Sequence, residues 1–317
     1  KTAVAVFSQI SGKSSKIWIE KYLNPRPLSN SSSSSAIKSS SEVSKLKQFL
    51  WLTRRYFTIK INDKVNSFLM LAQAPIIAVL ICIIFEEISN AVLFMIAISA
   101  IWLGTQNAVR EIVSENAIYK RERMFNLYIF PYLLSKISVL SFFSIIQSAI
   151  FIFILFVRYS DSDIVTMNNP IYLFLWMVFL SISSTFLGLL LSSMVKNTER
   201  AMTILPLILL PQIMLAGIIA KVSNGFVEFI SYFTISRWGV EGFSIIQKDV
   251  GIETYPYKVD AISSIIKQFH ESYYNEEIFG NLTGTLPLDF YAILFMVIII
   301  TLFIYKTLKN KDSVTIN

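Results

Sequence analysis

Six apolar stretches, at about residues 66–85, 91–108, 132–157, 170–194, 200–221 and 286–306, divide this 317-residue chain. Each is about as long as a helix needs to be to cross a hydrocarbon core of roughly 30 Å. Lipid offers a backbone no hydrogen-bonding partner, so every one of them reads as a helix. Pro75, Pro206 and Pro211 fall inside these stretches, which membrane helices tolerate because neighbouring groups satisfy the freed carbonyls. Composition agrees: 54% of residues are hydrophobic and 15% charged, against about 25% charged in an ordinary soluble domain. The expected fold is an all-α polytopic membrane protein with six transmembrane helices.

The basic residues orient it. With both termini cytoplasmic, the inner segments hold 22 of the 28 lysines and arginines, while 13 of the 21 acidic residues fall outside. The inverted arrangement reverses that bias, so the positive-inside rule predicts cytoplasmic N and C termini.

Outside the spans, "NSSSSSAIKSSSE" (30–42) has the composition of a flexible linker. It is followed by "SKLKQFLWLTRRYF" (44–57), where Leu46, Phe49, Leu50 and Phe57 share one helical face and Lys45, Lys47, Arg54 and Arg55 supply the polar side. A cationic amphipathic helix just before a first span is expected in the headgroup plane, against membrane lipid. Residues 222–285 form the large outer loop. Its first part is too interrupted to cross and predicts a re-entrant or interfacial helix, with Trp238 suited to the interface. Asn281 begins a glycosylation sequon on that side. Residues 308–317 make a short cytoplasmic tail. Residues 1–28 contain no signal-peptide core, and a first residue of Lys1 leads us to expect a processed product or a segment of a longer polypeptide.

Several chemistries are excluded. Cys82 is the one cysteine and His270 the one histidine, so intrachain disulfides, thiolate metal sites and histidine-based zinc sites have no ligands. There is no GxxxxGKS or GxxxxGKT phosphate loop, no glycine-rich dinucleotide turn and no serine-nucleophile motif in a span. Hence no catalytic residues are assigned to this chain, no metal or cofactor is expected in it, and nothing in it calls for nucleic acid. The spans read as lacking buried carboxylates, with Glu86, Glu87 and Lys136 at span ends. Mid-span polar groups are neutral: Gln73, Gln147, Gln212 and the cluster Ser181, Ser183, Ser184 and Thr185. Such groups serve helix–helix hydrogen bonds more often than ligands. Energy for transport is therefore expected to enter through a cytoplasmic partner.

One charged stretch stands out between two apolar runs. "REIVSENAIYKRER" (110–123) carries seven charged side chains in a 23-residue connection that is long for a turn. As a helix it would place Val113, Ala117, Met124 and Leu127 on one face and Glu111, Glu115 and Glu122 on the other. It reads either as a helix beneath the membrane that presents charge to a soluble partner or as a solvated positive-inside loop.

The pattern Glu115, Tyr119, Arg121, Glu122, followed by "YLLSK" (132–136), resembles the white/ABCG-type transmembrane domain of ABC exporters. In the same order, "FLWLTRRYF" resembles that family's connecting helix, "LPLILLPQIMLAGIIA" (205–220) its fifth span and "ISRWGVEGF" (235–243) the segment after its re-entrant helix. The resemblance covers roughly 44–307 and implies a half-transporter domain that pairs with a second copy or a homologous half around a central path. It implies that 110–123 holds the coupling helix, with Glu115, Tyr119, Arg121 and Glu122 contacting an ATP-binding domain beside Arg54 and Arg55 of the connecting helix. It puts Ser99, Leu103, Leu210 and Ile213 at cavity positions and Ile218 and Ile219 at an apolar outer plug. ATP and Mg belong to the associated ATP-binding domain, fused or separate; residues 1–43, with "WIEKYLNP" (18–25), resemble the tail of the linker after a fused one. Residues 44–65 are then the connecting helix and 66–307 the six-span domain. An outer loop without cysteines leans towards a bacterial source and its inner membrane. The expected function is ATP-driven export of an amphipathic, lipid-like or peptide substrate by alternating access; the alternative is a passive pore or scaffold subunit without an ATPase.

Overall fold

The computed structural model describes residues 44–160, 167, 169–216, 229–247 and 286–313, and every regular element among them is helical. The connecting segment forms α1 (Lys45–Asn62), which turns at Asp63 into α2 (Lys64–Ile84). The Asp63 carboxylate accepts from the Asn66 backbone N–H at 3.3 Å and from its side-chain amide at 2.6 Å, so α2 begins with a satisfied cap. Ser89 caps α3 (Asn90–Ala108) through the Val92 N–H. The charged stretch follows, with the eight-residue α4 (Asn116–Arg123), and leads into α5 (Ile129–Tyr159). Asn169 in a left-handed conformation and Pro170 in the first turn start α6 (Pro170–Met194). Then come α7 (Thr198–Met214), α8 (Ile235–Ile246) and α9 (Leu286–Ser313).

Five of these, α2, α3, α5, α6 and α9, are long and apolar enough to cross a membrane. The expected fifth span, 200–221, coincides with α7, a 17-residue helix containing Pro206 and Pro211; residues 217–221 of that expectation lie outside the described residues. So do the linker 1–43 and the loop 248–285. The last helix continues past the expected end at 306 into the segment read as a tail.

Helix α6 lies at the centre and packs on α3, α5, α7, α8 and α9, its contact with α3 being the most extensive in the fold. The residues of this contact are small. A Cβ on Gly104 would collide with the Ser181 carbonyl, and one on Gly188 would lie 2.5 Å from the Thr105 carbonyl oxygen and 2.8 Å from the Ala108 Cβ. The two backbones therefore meet with no side chain between them, the arrangement small residues permit in lipid, where dispersion and hydrogen bonds replace the hydrophobic drive. The hydroxyls of Ser183, Ser184 and Thr185 in the polar cluster are satisfied within α6 itself, so none of the three needs a partner across the contact. Ser183, Ser184 and Thr185 each donate to the carbonyl four residues earlier, and Thr105 donates to its own helix at Ile101 and across to the Ser184 carbonyl. Gln147 joins three helices: it accepts from Asn107 at 2.6 Å and donates to the Met70 carbonyl at 2.7 Å.

Helices α2 and α9 instead present apolar side chains outward, among them Phe68, Ile76, Ile83, Phe295 and Leu302. So large an apolar exterior fits a lipid surround.

Helix α1 differs from expectation in its packed face. Leu52 and Tyr56 are buried, in line with Gln48 and Lys60 at four-residue spacing, while Leu46 and Leu50 are exposed and Phe49 and Phe57 half-buried. The stripe read from hydrophobicity is the outer one; the inner face is held by polar and aromatic groups.

Replacing Gly104 by Ala forces α3 and α6 apart. It is expected to cost about 1–3 kcal/mol, as overpacking does, and to lower the melting temperature in detergent, whereas Ser138→Ala, at a half-buried position of α5 whose hydroxyl bonds only its own helix at Leu134, leaves it nearly unchanged.

Candidate functional site

The charged stretch begins where α3 stops. Its first residues, 109–115, are turns, and Ile112 and Val113 both donate their backbone N–H to the Ser192 Oγ, at 2.9 and 3.0 Å. Ser192 lies on α6, one turn beyond Gly188, so the close-packed seam also holds the turn. Helix α4 gathers Lys120, Arg121 and Arg123 in its last turn, where cations suit the negative end of the helix dipole. The Arg123 guanidinium then donates to the Leu127 carbonyl, and Asn126, at φ 63°, reverses the chain into α5.

Charge pairs tie this stretch to its neighbours. Arg55 on α1 forms a two-pronged pair with Glu122, at 2.5 and 3.1 Å. The Glu122 carboxylate holds the Arg55 guanidinium above its ordinary pKa. Glu111 is buried, accepting from the Tyr56 hydroxyl and pairing with the Lys60 ammonium at 2.5 Å. Burial, and then the Glu111 carboxylate, push the Tyr56 hydroxyl well above its ordinary value, so it acts as a neutral donor. Glu115 pairs at 2.5 Å with Lys136 of α5, whose ammonium also lies 3.7 Å from the centre of the Tyr56 ring. Tyr119 is buried against Tyr132, ring centres 5.1 Å apart. Gln48 adds a neutral clamp, donating to the Asn126 carbonyl and accepting from the Tyr128 N–H.

A short helix at one end of an apolar bundle, bound by ion pairs to an amphipathic entry helix, can pass a push from outside the bundle into two helices at once. Residues 47–248 match the family described as ABC-2 type transporter. The chain belongs to that family. Over 152 residues it is also 28% identical to the ABC transporter ATP-binding/permease protein Rv1747 of Mycobacterium tuberculosis (strain ATCC 25618 / H37Rv). That alignment covers 47% of this chain and 18% of the mycobacterial protein, so the ABC-2 chain spans less than a fifth of that relative's length.

In this ABC-2 membrane domain the residues expected to couple do not share one outward face. Glu115, Tyr119 and Glu122 turn inward and, with Arg55, hold α4 to α1 and α5, while Arg54 and Arg121 are exposed and make no ion pair among the described residues. Of the residues expected on the apolar side, Val113 and Leu127 are buried and Ala117 and Met124 are exposed, because the chain is helical only over Asn116–Arg123 and the four do not share one helical face. Glu111, expected on the polar side, is buried. Of the expected cavity residues, Ser99 and Leu103 are buried within the chain's own packing, Ile213 is half-buried and Leu210 is exposed. Ile218 and Ile219 lie outside the described residues.

A second charged group escaped the sequence reading. The spans were expected to lack buried carboxylates, yet Asp289, in the first turn of α9, is fully buried where α8 packs on that helix, and Arg237 and Glu241 of α8 are buried with it. The available signal was Arg237 and Glu241 four residues apart in an otherwise apolar segment, which puts both on one face. Lys136, read as a span-end residue, is likewise buried.

The ion pairs carry unequal weight. Glu115→Gln strands the Lys136 ammonium and is expected to destabilise the domain by about 3–5 kcal/mol, much of it regained in the double variant with Lys136→Met. Arg55→Ala, at a half-exposed pair, is expected to cost about 1 kcal/mol or less. Denaturant unfolding of the four proteins checks both.

Proposed function

We propose that this chain is the membrane-spanning part of an ATP-driven ABC exporter of the white/ABCG type, and that 110–123 receives the stroke of an ATP-binding cassette domain, fused or separate. The observation that carries the reading is the attachment of the 110–123 stretch on three sides: Glu122 of α4 and Glu111 of the turn to α1, Glu115 to Lys136 of α5, and the Ile112 and Val113 N–H groups to Ser192 of α6. A displacement of α4 would move the entry helix and two spans together, as alternating access requires. Arg54 and Arg121 are the exposed cations that would meet the cassette domain; Glu115, Tyr119, Glu122 and Arg55 would keep the coupling helix rigid beneath them.

ATP and Mg would be bound by the cassette domain, not by this chain. A second copy or a homologous half would complete the transport path, with Ser99, Leu103, Leu210 and Ile213 towards it and Ile218 and Ile219 closing its outer end. In this reading α7 and the residues after it form a sixth crossing, α8 is the re-entrant element, and the α4 end of the bundle is cytoplasmic, with both termini, in a bacterial inner membrane. The outward apolar faces of α2 and α9 and the cationic α1 would contact lipid. An amphipathic, lipid-like or peptide substrate suits a path whose polar groups are neutral.

Reconstituted transport tests this. Arg121→Ala and Glu122→Ala are expected to lower substrate moved per ATP at least several-fold while ATP hydrolysis and folding persist. Arg55→Ala is expected to reproduce the Glu122 effect, and the charge exchange Arg55→Glu with Glu122→Arg to restore part of it. Unchanged transport per ATP in both Arg121→Ala and Glu122→Ala would refute the coupling assignment.

A further inference from the structure

At the end of the bundle opposite α4, the packing of α8 on α9 encloses an unbalanced set of charges. Asp289 has no exposed surface, and neither carboxylate oxygen has a hydrogen-bond partner. Glu241 and Arg237, one turn apart on α8, are also buried. The Arg237 guanidinium is already engaged: it donates to the Ser231 hydroxyl at 2.7 Å and stacks 3.9 Å from the centre of the Tyr232 ring.

Among the described residues, no other charge reaches this place. Helices α3 and α6, which both pack on α8, contain no charged residue. The Glu199 and Arg200 of α7, the Lys136 of α5 and the Lys306, Lys309 and Lys311 of α9 all lie at the opposite ends of their helices, and Arg158 of α5 is exposed. Among the described residues, two carboxylates thus stand against one guanidinium inside apolar packing. An unpaired buried carboxylate is among the costliest groups a fold can hold, and neutralisation by a proton is the usual resolution. A hard metal ion would satisfy the charge too, but it needs about six oxygen ligands, and no three metal-binding side chains gather anywhere among the described residues. A proton needs one oxygen.

We propose that Asp289 and Glu241 form a proton-binding carboxyl pair, taking up a single proton beside Arg237 and so neutralising the α8–α9 contact. Burial pushes the Glu241 carboxyl up to about 7, against the pull of Arg237, so the proton content of the pair changes near neutral pH. This site is separate from the coupling face and does not depend on the exporter reading.

Infrared difference spectra of the intact protein in lipid nanodiscs, between pH 5 and pH 9, read the site directly. The expected result is a protonated-carboxyl stretch that titrates within that range, is lost in Asp289→Asn and is shifted in Glu241→Gln. Melting temperature gives an independent reading with a fixed sign. A carboxyl raised from 4.5 to about 7 on folding stabilises the fold below 4.5 and loses that contribution as pH rises through 7. Asp289→Asn and Glu241→Gln are therefore expected to melt at or above the unmodified protein at pH 8, with the difference shrinking towards pH 5. Three results would each overturn the proposal: no carboxyl stretch dependent on Asp289, melting of both variants well below the unmodified protein at pH 8, or a stabilisation that follows sodium concentration at fixed pH. The second would mean that both carboxylates are needed ionised, as counter-charges to Arg237.

Discussion

The backbone contact between α3 and α6 at Gly104 and Gly188 organises the rest of the molecule. Lipid supplies no hydrophobic drive between helices, so their association rests on close dispersion contact and on hydrogen bonds that cross the interface. Small residues allow the approach, and the Thr105 hydroxyl, shared between the Ile101 and Ser184 carbonyls, bonds across it. Because α6 is held there, α8 and α9 have a surface to pack on, and Ser192 of the same face captures the turn that leads to α4. One seam thus fixes both the core and the start of the coupling segment.

At the α4 end, charge does what size does in the seam. Tyr56 is the meeting point: its hydroxyl donates to Glu111 of the turn, and the face of its ring lies against the Lys136 ammonium of α5. Lys136 is neutralised in turn by Glu115. Glu111, Glu115 and Lys136 each have an opposite charge within contact distance, which is the condition under which charge can be enclosed without a large penalty. The α8–α9 contact departs from this condition: among the described residues, Asp289 and Glu241 are buried beside a single guanidinium, and the Asp289 carboxylate has no hydrogen-bond partner.

Much of this was legible in the sequence, and what escaped has particular causes. The spans at 91–108 and 170–194 agree with α3 and α6 almost to the residue, because long apolar runs in lipid have one conformation open to them. The hydroxyl cluster on α6 reads from sequence as helix–helix bonding, but Ser183, Ser184 and Thr185 donate back to their own helix, and the bond that crosses the seam comes from Thr105 of α3. Residues Glu115, Arg121 and Glu122 were singled out by their charge, yet charge alone carries no direction: Glu122 and Glu115 turn inward because Arg55 and Lys136 stand opposite them on elements distant in sequence. On α1 the apolar stripe of Leu46 and Leu50 drew attention away from Gln48, Leu52 and Tyr56, whose four-residue spacing marks the packed face only once a polar partner surface is known. Asp289 is not legible in the sequence, because one acid near the start of an apolar run reads as a span-end residue until another helix covers it.

By itself, the sequence determined that the chain is helical and lies in a membrane, since runs of that length and hydropathy have no other stable backbone solution. It also determined that a charged segment interrupts those runs, and through the order of its motifs it pointed to a transporter domain. Only the tertiary structure decided which charges face inward, which glycines bring backbones together, and that Asp289, Glu241 and Arg237 are buried where α8 packs on α9. Those are relations between residues tens to hundreds of positions apart. Periodicity along one helix reports which side chains share a face, and packing in three dimensions settles what that face meets.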